Sequence, residues 1–258
     1  FFVSLEGQGP MVIGNVIGSN VANLSLVFGS MLFVISLKKN NISQPKSINQ
    51  NLVILLTSSS LVWIVIATNP FSIIASITLF LALFAVIYFW YTNNQEIPDI
   101  KDIGSSKNTF AKLILSLFAL VFAAWLITKG ANLILYNFNL GQLFIGYTVL
   151  AIGTSLPEIA ASVSLALKGR YEAVAGTLIG SNIFNGLCVL AIPGLFRNNQ
   201  MALGWEYSDW SSLLIILFTI TIIFSIYIFI ISRQGRKASL LLSLSFLSIY
   251  FVSLMYAY

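Results

Sequence analysis

Hydrophobic positions fall along this chain in long, nearly unbroken runs separated by short polar punctuation. The runs are Met11–Leu37, Asn51–Thr68, Phe71–Tyr91, Phe110–Tyr136, two within residues 146–195, then Trp210–Ser232 and Ala238–Tyr258. Each is close to the ~20 apolar residues a helix needs to cross a bilayer. The pattern therefore predicts eight transmembrane helices. The opening stretch, FFVSLEGQGP, reads as the last turn of a further helix that ends near Glu6, and we expect the chain to be truncated at its N-terminus.

The punctuation is equally informative. Asn69-Pro70 makes a short uncharged hairpin, and Lys168-Gly169-Arg170-Tyr171-Glu172 a short charged turn. Residues 92–109 form the longest polar stretch of the first half and read as a linker with solvated charges. Trp205 and Trp210 flank a mixed-charge loop in the manner of an interfacial aromatic belt. Composition agrees, with 58% hydrophobic and 8% charged residues where a soluble domain carries roughly a quarter charged. The predicted fold class is an all-α polytopic helical bundle in one integral domain.

Charge adds orientation. With the loops placed alternately on two sides, Lys38, Lys39, Lys46, Lys101, Lys107, Lys112, Lys168, Arg170, Arg233, Arg236 and Lys237 fall together, and Lys129 and Arg197 fall opposite. Such a bias marks the richer side, including the central linker, as cytoplasmic and the C-terminus as external. The net charge of +5 is explained by these loops, and nucleic-acid binding has no support. The chain has no His, and its one cysteine, Cys188, lies inside a span. A zinc site and His-based catalysis are excluded.

One acid stands far from either end of its span. Glu158 lies within GTSLPE, residues 153–158, and an ionised carboxylate at mid-bilayer costs ~2.5–3.5 kcal/mol even on insertion scales. It requires a partner or a cation. Gly153 weakens the helix and Pro157 removes a backbone donor, which predicts a break or kink over Ala151–Thr154 with carbonyls turned inward. Thr154, Ser155 and Glu158 share roughly one helical face. The next span adds Ser181 and Asn185, also four apart, and Gly176 and Gly180 predict close approach of that helix to its neighbour. An all-oxygen set of this kind suits hard cations such as Na+ and Ca2+.

Sliding the chain along itself by 162 positions exposes an internal repeat. Residues 5–27, LEGQGPMVIGNVIGSNVANLSLV, match residues 167–189, LKGRYEAVAGTLIGSNIFNGLCV, at ten of 23 positions. Gly14/Gly176, Gly18/Gly180, Ser19/Ser181 and Asn23/Asn185 all fall in one register. Five crossings separate the copies, so they run in opposite directions. Such inverted repeats place a substrate site at midplane and favour alternating access. The first repeat covers 1–92, without its first span and most of its second; 93–109 is the cytoplasmic linker; 110–258 is the second repeat. The same register puts a second GTSLPE-like acid about five residues ahead of Phe1.

GTSLPE with GTLIGSNIFN (176–185), and GNVIGSNVAN (14–23), resemble the two alpha-repeats of the calcium/cation antiporter superfamily, in particular the bacterial sodium/calcium exchangers. The resemblance implies a multi-pass protein of the bacterial inner membrane that exchanges Ca2+ for Na+, with no cofactor beyond the transported ions. It implies that Glu158 binds both ions, that Ala151 offers its carbonyl, and that Thr154 and Ser155 complete the shells. Ser19 and Ser181 would each finish one of two related Na+ sites, and Asn23 and Asn185 would line the middle position. Position 185 is Asn where many members, the K+-dependent ones among them, have Asp, which argues against K+ co-transport. The resemblance also implies that the chain as it stands, without its first gating span, does not transport.

Alternatives differ in class. A proton could replace Na+ by protonating Glu158. A membrane-embedded enzyme, with Glu158 as base and Thr154 or Ser155 as nucleophile, would leave the duplicated Gly-Ser-Asn without purpose. A channel is disfavoured because paired inverted segments suit a closed midplane site.

Overall fold

In lipid every backbone amide must be satisfied within the chain, and a run of apolar residues achieves that only as helix. The computed structural model describes residues 2–37, 48–93, 109–196, 207–230 and 236–257, and within each of these stretches the chain is helix with at most short turns. The elements are α1 (Phe2–Leu5), α2 (Gly9–Ala22), α3 (Phe28–Leu37), α4 (Ile48–Thr68), α5 (Ile73–Asn93), α6 (Thr109–Phe138), α7 (Gln142–Ile145), α8 (Ala151–Leu167), α9 (Tyr171–Phe184), α10 (Ile192–Leu195), α11 (Tyr207–Ile230) and α12 (Arg236–Ala257). Three π-helical turns interrupt them: π1 (Asn23–Val27), π2 (Gly146–Leu150) and π3 (Asn185–Val189). Among the described residues six stretches are long and apolar enough to cross a membrane, and α11 and α12 contribute two shorter apolar segments. The predicted linker falls largely on residues 94–108, outside the described residues.

The many Ser and Thr residues of the spans are mostly accommodated locally. Ser30, Thr57, Thr68 and Thr221 each donate to the carbonyl four residues back, which removes the cost of a bare hydroxyl in lipid. The 69–72 hairpin is built as its sequence suggests. Asn69 Oδ1 accepts the Phe71 N–H, and Ser72 Oγ accepts the Ala75 N–H to cap α5. At the other end of that antiparallel pair, Trp90 Nε1 donates to Asn51 Oδ1 at 2.9 Å.

The repeat recurs in the backbone residue for residue. Helix α2 shifted by 162 is α9, and π1 shifted by 162 is π3. Gly7 and Gly169, also 162 apart, both turn the chain at positive φ, 73° and 74°. These two rods form the centre of the bundle. Around them α3 packs against α12, and Phe28 meets Phe224 of α11 and Phe246 of α12 edge-on at centroid distances of 4.6 and 5.2 Å. Ser243 Oγ donates to the Gly29 carbonyl at the same contact. Helix α4 lies between α9 and α11, and α5 rests on α10 through Ser76 Oγ, which donates to the Ala191 carbonyl at 2.6 Å. Helices α5 and α6 turn large apolar side chains outward, including Phe84, Tyr88, Leu115 and Phe118, as a lipid-facing surface requires.

Two local expectations are corrected. The predicted break at Ala151–Thr154 is absent: α8 is continuous from Ala151 to Leu167 with Pro157 inside it. The departure from α-geometry lies one turn earlier, in π2. The Thr154 hydroxyl is within reach of the Leu150 and Ala151 carbonyls, at 2.9 and 3.2 Å, which helps hold the helix together there. Among the described residues the predicted close approach at Gly176 and Gly180 is also absent, since a Cβ at either would meet nothing within 4 Å. Their register mates make it instead. A Cβ at Gly14 or Gly18 would run into the backbone of Leu143 or Tyr147, so α2 lies directly on the α7–π2 rod.

Candidate cation site

The inverted rods cross with their Ser-Asn segments facing each other and with α8 alongside, and a polar cluster forms where the three meet. It has two parts. In one, Ser19 Oγ and Thr154 Oγ1 are 3.0 Å apart, and Asn15 Oδ1 accepts from both, at 3.4 and 3.2 Å. The Ala151 and Leu150 carbonyls stand beside Thr154 Oγ1. In the other, Ser181 Oγ donates to Glu158 Oε1 at 3.0 Å and accepts from Asn23 Nδ2 at 3.3 Å. Asn23 Nδ2 also reaches Asn182 Oδ1 at 3.0 Å, and Asn185 Nδ2 reaches Asn20 Oδ1 at 3.2 Å.

The structure thus brings Ser19, Asn23, Thr154, Glu158, Ser181, Asn185 and the Ala151 carbonyl into one region from residues up to 166 apart in the chain. Ser155 is on the same helix and buried, but its hydroxyl has no hydrogen-bond partner among the described residues. Two further oxygens share that condition, Glu158 Oε2 and Asn23 Oδ1, each buried without a hydrogen-bond partner. Both of these side chains rest on the Ser181 hydroxyl. Buried acceptors in this state cost about 1–3 kcal/mol each, more for a charged one.

Local folding explains the placement. A π-turn widens the helix by one residue, so Asn23 and Asn185, which begin π1 and π3, swing toward the opposite rod. The amide N–H groups of Asn20, Asn23, Asn182 and Asn185 are then satisfied across the interface. Among the described residues no three His, Cys, Asp or Glu side chains cluster, so the available ligands are one carboxylate with amide, hydroxyl and carbonyl oxygens. That set suits hard monovalent or divalent cations over transition metals. A cavity of about 550 Å³, walled by Leu120, Val121 and Ala124 of α6 and by Phe2 and Leu150, reaches the cluster at Asn15 and Thr154.

Sequence reasoning missed three residues. Asn20 and Asn182 are identical in the repeat, and their shared Gly-Ser-Asn was the available signal. Asn15 has no such signal, because its register mate is Thr177 and only the fold sets it against Thr154 across 139 positions.

Comparison with known proteins follows the same outline. The family model for sodium/calcium exchanger protein matches residues 1–92 and 108–258. CaxA of Alkalimonas amylolytica, named as an antiporter, is 30% identical over 72% of this chain, which spans 61% of that protein's length. The sodium/calcium exchanger MaX1 of Methanosarcina acetivorans is 29% identical over 45% of the chain and 39% of its own length. A solved structure of the sodium-calcium exchanger NCX_Mj, soaked with 2.5 mM Na+ and 10 mM Sr2+, superposes with a TM-score of 0.68 at 26% identity, covering 98% of this chain and 79% of that one. Matched along both of its halves, this multi-pass membrane protein belongs to the sodium/calcium exchanger family.

Proposed function

We propose that the protein is a secondary antiporter that exchanges Ca2+ for Na+ across the membrane by alternating access. The observation that carries this reading is the pair of buried acceptors Glu158 Oε2 and Asn23 Oδ1, contributed by opposite repeats and tied through one hydroxyl of Ser181. Glu158 supplies the charge common to both ions. Ser181 and Asn23 face it from the inverted rods, while Ser19, Thr154 and the Ala151 carbonyl form a second, adjoining oxygen cluster. Ser155 and Asn185 add ligands on either side. Overlapping oxygen sites of this kind make the two ions compete, and competition at one midplane site is what exchange requires.

The cavity beside Asn15 and Thr154 supports an access route between α6 and the core. Membership of a family named for exchange supports antiport over catalysis, and the names of MaX1 and NCX_Mj support Na+ as the coupling ion. The test is uptake of 45Ca2+ into liposomes carrying the full-length protein, driven by an outward Na+ gradient at fixed pH. Uptake that collapses when the Na+ gradient is removed is expected. Uptake that follows a pH gradient and ignores Na+ would make H+ the coupling ion.

A further inference from the structure

The Asn of each Gly-Ser-Asn has no role in the proposal above, yet both are nearly fully buried, Asn20 at 4% and Asn182 at 3% exposure. They meet across the repeat interface. Asn20 Nδ2 faces the Asn182 carbonyl at 3.3 Å and Asn182 Nδ2 faces the Asn20 carbonyl at 3.5 Å. Their side-chain oxygens accept from the next Asn of the opposite copy: Asn182 Oδ1 from Asn23, and Asn20 Oδ1 from Asn185. Asn20 and Asn182 close a two-fold ring through each other's carbonyls, and Asn23 and Asn185 attach to it at Oδ1, all four with their N–H halves turned to the other repeat.

An amide has one accepting end and one donating end, and only the accepting end attracts a cation. The ring decides which end is presented. Asn23 commits one N–H to Asn182 Oδ1 and the other to Ser181 Oγ, and Ser181 commits its hydrogen to Glu158 Oε1. Every hydrogen of that chain is taken, and Asn23 Oδ1 and Glu158 Oε2 are left as bare acceptors. Flipping Asn23 would set its oxygen against Asn182 Oδ1, acceptor against acceptor. It would also bring that oxygen into competition with Glu158 for the Ser181 hydrogen.

We infer that Asn20 and Asn182 are positioning residues of the cation site, which act by fixing the amide orientation of Asn23 and Asn185 from across the repeat interface. The inference rests on the Ca2+/Na+ reading and deepens it: ligand geometry on each repeat is set by the other repeat. Neither Asn20 nor Asn182 touches the ion. The same ring joins the rods at their crossing point, so the ligands it orients stay in register while the outer helices move.

The experiment is equilibrium 45Ca2+ binding, with Na+ displacement, to the whole purified chain in detergent. Asn182→Leu, similar in size and lacking both amide groups, is expected to weaken Ca2+ about tenfold, the factor for one lost well-oriented polar contact. Asn23→Ala is expected to weaken it by a similar factor, and the Asn23→Ala/Asn182→Leu double variant no further, since the second residue works through the first. Asn182→Asp keeps the acceptor for Asn23 and is expected to retain or raise the affinity. A merely structural role would lower the melting temperature and leave the affinity of the folded fraction, and the coupling to Asn23, unmoved. Unchanged affinity in Asn182→Leu, or losses that multiply to about a hundredfold in the double variant, would overturn the inference. Should Asn182→Leu fail to fold, the cycle of Asn20→Leu against Asn185→Ala decides it on the other limb by the same criteria. Absence of saturable Ca2+ binding in the unaltered chain would sink the proposed function itself, which is a different result from binding that ignores Asn182.

Discussion

Helices α2 and α9 are one sequence element used twice, and their surroundings differ. The glycines of α2 lie under the backbone of π2, where a Cβ at Gly18 would come within 2.5 Å of the Tyr147 carbonyl oxygen. The matching glycines of α9 face open space. The same contrast runs through the site. Repeat two supplies Glu158, Thr154 and the Ala151 carbonyl, and repeat one answers with Ser19, Asn20 and Asn23. A duplicated motif therefore fixes where a site is built, while the segments packed beside each copy decide what it can hold.

The largest expected effect comes from the one acid. Glu158→Gln is expected to raise the dissociation constant for Ca2+ at least about 100-fold by equilibrium binding, because it removes the only carboxylate among the site residues. Less severe is the glycine contrast itself. Gly18→Ala should destabilise the protein by about 1–3 kcal/mol through forced displacement of π2, whereas Gly180→Ala should change stability by no more than about 0.5 kcal/mol; thermal unfolding in detergent reads both. Equal effects would erase the asymmetry.

The paired serines sharpen it further. Ser181→Ala removes a donor to a carboxylate and should weaken Ca2+ about tenfold, and Ser19→Ala, which faces a hydroxyl, about threefold or less. Smallest is the turn at Glu6, which pairs with Lys129 of α6 at 2.9 Å while its register mate is Lys168. Lys129 is half exposed, and Lys129→Met should cost under about 1 kcal/mol by the same unfolding measurement.

Much of this was legible in the sequence because periodic and charge signals are strong in a membrane protein. The span pattern, the 162-residue register and Glu158 as an isolated acid all emerge from residue order alone. The π-turns do not: two begin at Asn23 and Asn185, whose side-chain amides bond to the opposite rod, and the third at Gly146, and no shared residue pattern marks them. The break expected over Ala151–Thr154 is absent for a related reason. A proline removes one donor, and the helix around it continues where neighbouring side chains and packing hold the remaining turns. Gly176 and Gly180 promise close packing by spacing, but spacing does not say whether a partner helix is present. Asn15 joins the site only through a contact with Thr154 that no local pattern encodes.

The central claim is that a cation sits where Glu158 Oε2 and Asn23 Oδ1 converge from opposite repeats. Anomalous scattering from crystals of this protein soaked in Sr2+ tests it most directly. The account predicts one strong peak at ~2.3–2.6 Å from both oxygens, within the range of hard divalent–oxygen bonds, that fades as Na+ is raised. A peak bound elsewhere, or none beside Glu158 at saturating Sr2+, would contradict it.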